Sequence, residues 1–443
     1  MSLNKMSAVF AAAAIRGGKI TSEELVRACL DRIVETEETV RAWTYLDREY
    51  AVKQAQDADI KLRSGKEVGP LHGLPVGIKD IFDTADMPTE NGTILHAGRQ
   101  PGEDATAVSL LREAGAIIMG KTVTTELAVY APGKTTNPYD SRRTPGGSSS
   151  GSAAAVAAFM VPLAIGTQTN GSVIRPASYC GVYGYKPTHG RISRHGVLSQ
   201  SRVLDQVGVF ARSIEDAALI AQQLMAFDNK DPDVKPKGRF DLNEALMGGP
   251  PIRPRLAFVK SPVWGLASDI TQDAFARMAA QLSENVKEVK LPNVFERAID
   301  WHRTIMESDL AKSFEVEYIS GRDKMSPILC EMIARGQTYS AVDYNKAVEA
   351  ISTLNNELGK IFSAYDAILT PATSGEAPIG LDSTGSPIFC TLWTLCGVPS
   401  INLPILKGAE NMPMGVQLVA PRGDDYRLLR IAKWLVNEVP FKS

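Results

Sequence analysis

The sequence predicts an α/β protein in which helices cover both faces of a sheet. Short apolar segments bounded by glycine or proline alternate with helix-period segments through the first half of the chain, the pattern of strands joined through helices. With 443 residues, 44% of them apolar, the chain is long enough for one large core or for two to three ordinary domains. A charged fraction of 22% at that apolar content excludes intrinsic disorder, and neither an internal repeat nor a heptad run is present.

The elements follow in order. Lys5 followed by Met6 to Ile15 imitates a signal peptide, but the run is short and alanine-rich and passes into Arg16-Gly17-Gly18-Lys19 without a cleavage site, so it reads as a small helix. Thr21-Ser22-Glu23-Glu24 is a capping box, with Thr21 as cap and Glu24 reaching back, and Leu25, Cys29 and Ile33 mark the buried face of the helix it opens. Leu74 to Lys79 is a short strand bounded by Gly73. Asp104 is placed to cap a helix through Ala114, with Gly115 as its stop and Ala116 to Met119 as the next strand. Asp228 to Pro254, rich in Lys, Asp, Pro and Gly, reads as an interdomain linker or a surface excursion within one domain. Beyond it, Leu256 to Val259, Ala367 to Leu369, Ser400 to Ile405 and Gly415 to Val419 are strands. Asp269 to Glu284 is helical, and the last helix places Leu428, Ile431 and Leu435 on one face.

Charge and cysteine usage exclude several function classes. Lys and Arg number 48 against 50 Asp and Glu, a net charge of −2, so no strong field recruits nucleic acid or an anionic membrane. The longest apolar run, Ala153 to Ile165, contains Pro162 and falls short of the roughly 18 residues of a spanning helix. The five cysteines, Cys29, Cys180, Cys330, Cys390 and Cys396, are scattered without metal-ligand or CxxC spacing, which fits a reduced, cytoplasmic setting.

Thr144 to Ser152, TPGGSSSGS, is the most unusual local composition. A flexible linker is one reading, opposed by the unbroken apolar segment that follows. A phosphate loop is another, opposed by the missing lysine–hydroxyl pair. Gly147-Ser148-Ser149-Ser150-Gly151 satisfies GxSxG, which would make Ser149 a nucleophile on a strand–helix elbow, but Asn137 to Arg143 before it cannot be a central strand. About twenty residues on, Gly166 to Pro176, GTQTNGSVIRP, has small residues that let successive amides converge as an oxyanion nest, or that make an ordinary tight turn. Lys79, after Val76-Gly77-Ile78, is placed to point inward.

These segments together resemble the amidase signature family. The resemblance lies in Gly73 to Asp80, in Pro145 to Val156, in Gly166 to Pro176, in Cys180-Gly181-Val182 and in Gly184 to Thr188. Leu369-Thr370-Pro371, Gly397-Val398-Pro399 and Gly415 to Val419 extend it to the C-terminus. It is strong over about residues 70–210 and vague over about 225–365. It implies a single α/β/α domain over residues 1–443 around a large mixed sheet. Carried over residue by residue, it makes Ser172 the acylated nucleophile, Ser148 a bridging serine after a cis peptide bond and Lys79 the base. The amides of Thr169, Asn170, Gly171 and Ser172 become the oxyanion hole. None of the histidines, His72, His96, His189, His195 and His302, sits in a motif that pairs it with either serine, and a neutral lysine can replace histidine as base. The expected activity is hydrolysis of a small linear amide, without metal or organic cofactor, and homodimers are frequent in the family.

Several positions depart from the commonest family pattern. Gln168 stands where aspartate is frequent, Asn170 where glycine is usual, and Ser150 replaces a frequent glycine. Arg175, in Val173-Ile174-Arg175, resembles the malonamidase-like branch, where an arginine here is associated with a substrate carboxylate; the alternative is that it braces the loop through backbone carbonyls. Specificity is expected from Thr124 to Thr136 and the poorly matched middle region, with Arg175, Ser149 and Tyr130 as substrate contacts. Two further readings stand beside the stand-alone amidase: an amidase-like component of a complex that transfers ammonia to a charged tRNA, and a non-catalytic scaffold.

Overall fold

The computed structural model describes residues 2–236, 238, 241–250 and 252–439. Its described residues contain one mixed sheet of eleven strands. In chain order these are β1 (Trp43–Leu46), β2 (Pro75–Lys79), β3 (Ile117–Thr122), β4 (Leu163–Gln168), β5 (Tyr183–Lys186), β6 (Gln206–Ala211), β7 (Leu256–Val259), β8 (Val286–Val289), β9 (Ala367–Pro371), β10 (Ser400–Lys407) and β11 (Pro413–Val419). Their spatial order is β1-β3-β2-β4-β6-β5-β10-β11-β9-β7-β8. Parallel ladders join β3, β2 and β4 near one edge and β9, β7 and β8 at the other, and antiparallel ladders run between them.

Helices cover both faces, as expected, because strand residues alternate between two cores. Leu256 and Phe258 of β7 join a core with the helices Ala8–Arg16, Ser22–Val40, Ile214–Leu224 and Asp425–Glu438. Ala257 and Val259 turn the other way, into a core built with the helices Ala298–Ser313, Pro327–Gly336 and Ala341–Phe362.

The capping box at Thr21 forms, with Thr21 Oγ1 accepting from Glu24 N and Glu24 accepting from Thr21 N. Leu428, Ile431 and Leu435 are buried on one side of the last helix. The cap at Asp104 does not form. The helix is Thr106–Glu113, its cap position is Ala105, and Asp104 accepts from Ala85 N and Arg112 Nε instead. The carboxylate finds a better partner in a nearby arginine than in orphan amides. Among the described residues of the stretch from Asp228 to Pro254, the contacts are those of an excursion and not a linker: Asp228 accepts from Ser193 and Thr106 hydroxyls, Asp231 holds Arg194 at 2.8 Å, and Leu242 and Leu246 join the first core. None of the five cysteines is in a disulfide. Among the described residues, no helix is long and apolar enough to cross a membrane.

Candidate active site

Two neighbouring parallel strands position the site. β2 and β4 pair with Ile78 opposite Ile165, so both strands end at the same edge of the sheet, where ligands of α/β sheets collect. Lys79 ends β2, and Thr167 and Gln168 end β4. The glycine–serine segment feeds directly into the helix Ser150–Ala157, whose residues are almost all buried, and the peptide bond between Gly147 and Ser148 is cis. Gly146 makes the approach with φ +82, where a Cβ would lie 2.8 Å from the Pro176 backbone.

Lys79 is fully buried, and its Nζ is hydrogen-bonded to Ser148 Oγ at 2.7 Å and to Thr167 Oγ1 at 2.8 Å. Burial pushes its amine well below the usual lysine value, and the Asp205 carboxylate opposes that. Asp80, next in sequence, turns to the opposite side and meets Lys121 Nζ at 3.2 Å. Alternation thus separates the acid from Lys79. Asp205 is itself buried, pushed up to about 6 by desolvation, and accepts from Thr169 Oγ1 at 2.6 Å and from the amides of Gln200 and Ser201.

Ser172 follows β4 through a short loop. Its hydroxyl makes no hydrogen bond to any described residue, so the structure joins Lys79 to Ser148 but does not bond Ser148 to Ser172. The loop between carries the other expected residues. Gln168 Oε1 accepts the amides of Val173 and Ile174 at 2.8 and 3.0 Å, while its Nε2 donates to Thr394 Oγ1. Asn170 Nδ2 donates to the Tyr130 hydroxyl at 2.9 Å, and its Oδ1 accepts from Thr391 Oγ1 at 2.7 Å. Gly171 lets the helix Ile388–Leu395 come close, since a Cβ there would lie 2.9 Å from Pro387. Among the described residues, nothing accepts from the backbone amides of Asn170, Gly171 and Ser172.

A family model for amidases matches residues 24–429. The chain belongs to the amidase family. The A subunit of the glutamyl-tRNA(Gln) amidotransferase of Rhodopirellula baltica is 33% identical over 93% of this chain and 92% of its own length. A solved structure described simply as an amidase has a TM-score of 0.86 at 31% identity, covering 98% of this chain and 100% of its own. Another, described as an unexpected vestigial protein complex that reveals the evolutionary origins of an s-triazine catabolic enzyme, reaches a TM-score of 0.92 at 26% identity and covers 98% and 99%.

Within this amidase-family fold the three residues expected as substrate contacts separate. Tyr130 lines a cavity of about 290 Å³ together with Asn170, His302, Arg303, Met306 and Thr391. Ser149 does not face it. Fully buried, its hydroxyl donates to Thr167 O at 3.2 Å and accepts from Thr167 N at 3.3 Å, so it ties the helix start to β4. Arg175, also buried, donates from Nη2 to Gly147 O at 2.6 Å and from Nη1 to Gly385 O, the bracing alternative, while its Nε has no partner among the described residues. Among the described residues, no group of three His, Cys, Asp or Glu side chains converges as a metal site.

Thr167, Asp205, Thr394 and His302 also belong to the site, and sequence reasoning does not find them there. Thr167 is the legible one, since it lies in the Gly166 to Pro176 segment one residue before Gln168. The others come from distant segments and carry no local motif.

Proposed function

We propose that the chain hydrolyses the carbon–nitrogen bond of a small linear amide through an acyl-enzyme on Ser172. The observation that carries this reading is the buried Lys79 amine hydrogen-bonded to Ser148 Oγ at 2.7 Å, beside a serine-bearing loop whose amides are unengaged.

Neutral Lys79 takes the Ser148 proton, Ser148 takes the Ser172 proton, and Ser172 Oγ bonds to the amide carbon. The carbonyl oxygen gains the charge and is received by the amides of Thr169 to Ser172. Ser148 gives its proton to the departing nitrogen, Lys79 reprotonates Ser148, and the carbon–nitrogen bond breaks. Water then attacks the ester through the same relay, releasing the acid and restoring Ser172. Desolvation of Lys79 is what makes an amine a competent base near neutral pH.

Intact mass after exposure to a fluorophosphonate, for wild type and Ser172→Ala, tests the nucleophile. One adduct on Ser172, lost in the variant, supports the reading, and release of ammonia from linear amides completes it. An adduct on Ser149 or none at all overturns it.

A second reading is favoured by the amidotransferase relatives: the chain cleaves an amide within an assembly and passes the ammonia on. Copurification with other proteins of such an assembly and glutamine-dependent transfer would support it, and full amide hydrolysis by the isolated chain would favour the first.

A further inference from the structure

The loop from Thr169 to Ser172 has its carbonyls engaged and its amides free. His302 Nε2 lies 2.9 Å from Thr169 O, Thr394 Oγ1 donates to Asn170 O, and the amide of Arg175 donates to Gly171 O at 2.9 Å. A trans peptide points its carbonyl and the following N–H in opposite directions. Holding the three carbonyls therefore aims the amides of Asn170, Gly171 and Ser172 the other way, and nothing in the described residues accepts from them. Only the tie from Arg175 is local: Thr394, on the helix Ile388–Leu395, lies 224 residues from Asn170. His302 lies 133 residues from Thr169, on the helix Ala298–Ser313 within the stretch where the motif resemblance is vague.

We infer that His302 is a positioning residue for the oxyanion hole: its Nε2–H fixes the Thr169–Asn170 peptide plane, and so the direction of the Asn170 amide. The tautomer follows from the acceptor, since a carbonyl can only be met by the protonated nitrogen. His302 is 2% exposed, and burial pushes it down to about 4, so it donates as a neutral imidazole and brings no charge to the hole. It also lines the cavity with Tyr130 and Asn170, which places the tie at the wall of the candidate substrate pocket. A donor preset toward developing charge is worth most when it need not reorganise during reaction.

This inference rests on the amidohydrolase reading, and one experiment separates their failures. A phosphonyl oxygen occupies the same hole as a substrate oxyanion. The rate of fluorophosphonate labelling is measured for wild type, His302→Phe and His302→Gln, resolved into the maximal inactivation rate and the half-saturating concentration, with thermal unfolding of each. Gln presents an N–H near the position of Nε2; Phe fills the space without a donor. The expected result is a maximal rate roughly ten- to a hundredfold lower in the Phe variant at unchanged half-saturation, with the Gln variant within about threefold of wild type. Wild-type rates in His302→Phe overturn this inference alone, and so does an equal loss in both variants, which would mark a packing role. If wild type itself is not labelled at Ser172, both readings fall.

Discussion

The guanidinium of Arg175 donates from Nη2 to the carbonyl of Gly147, 2.6 Å away, so a cation three residues beyond Ser172 holds the loop that carries Ser148. Its second hydrogen bond, to Gly385 O, adds the segment before the helix Ile388–Leu395. Three parts of the site thus share one buried side chain.

Arg175→Gln is expected to weaken hydrolysis of every amide alike, because it loosens the scaffold and not one substrate contact. Charged hydrogen bonds of this kind are worth about 1.5–3 kcal/mol each, so the loss in stability is set at about 2–4 kcal/mol. An acid-bearing amide and its neutral isostere are compared in wild type and variant. Selective loss of the acid substrate would instead assign the unpartnered Nε to a carboxylate.

In the proposed relay Lys79 must be neutral to act, and its amine is depressed by burial, so the labelling rate of Ser172 should fall as pH drops through the folded value of Lys79. The Asp205 carboxylate favours the charged form of Lys79. Asp205→Asn removes that charge, lowers the Lys79 value further and moves the acid limb to lower pH. Arg194, whose charge opposes the upward push of burial on Asp205, remains in both proteins. A limb that does not move would show that Asp205 serves only its hydrogen bonds to Thr169, Gln200 and Ser201.

Asn170 spans from Thr391 to Tyr130 across the pocket wall. Asn170→Gly removes that bridge and leaves the backbone ties at Thr169 and Asn170 O intact. A series of amides of increasing acyl size should show a shift toward the larger members, of about tenfold in relative kcat/KM, the scale of one or two methylenes in a pocket. An unchanged ranking would place the specificity wall elsewhere.

Lys121 and Asp80 form a buried pair near the sheet edge, and Lys121 also donates to Phe82 O, Pro88 O and Thr89 Oγ1. Lys121→Met leaves Asp80 uncompensated and should cost about 3–5 kcal/mol by denaturant unfolding. Asp80 sits at about 6 in the fold, above its ordinary value, so its contribution to stability is present below about pH 4 and declines as pH rises through 6. Without Lys121 its carboxyl rises further, and the decline should continue above pH 6.

The residues proposed to carry the chemistry are legible where the chain brings them together locally. Gly73 to Asp80, the glycine–serine run and Gly166 to Pro176 each show composition that ordinary strands and helices do not need, and together they pointed to Lys79, Ser148 and Ser172. The strands β2, β7, β10 and β11 and the capping box at Thr21 were legible for the same reason, since period and capping act over a few residues. The Asp104 cap failed because another side chain, Arg112, competed for the carboxylate.

The sequence by itself determined the family, the α/β class and the order of the motifs, because these rest on local spacing. Tertiary structure alone decided that Ser149 is tied to Thr167, that Arg175 braces Gly147, and that Gln168 and Asn170 rebuild the loop through Thr394, Thr391 and Tyr130. It also brought His302 to Thr169 O. Each of these is a hydrogen bond between groups whose meeting is set by the sheet order and by helices packed across it, and no short-range pattern encodes that distance.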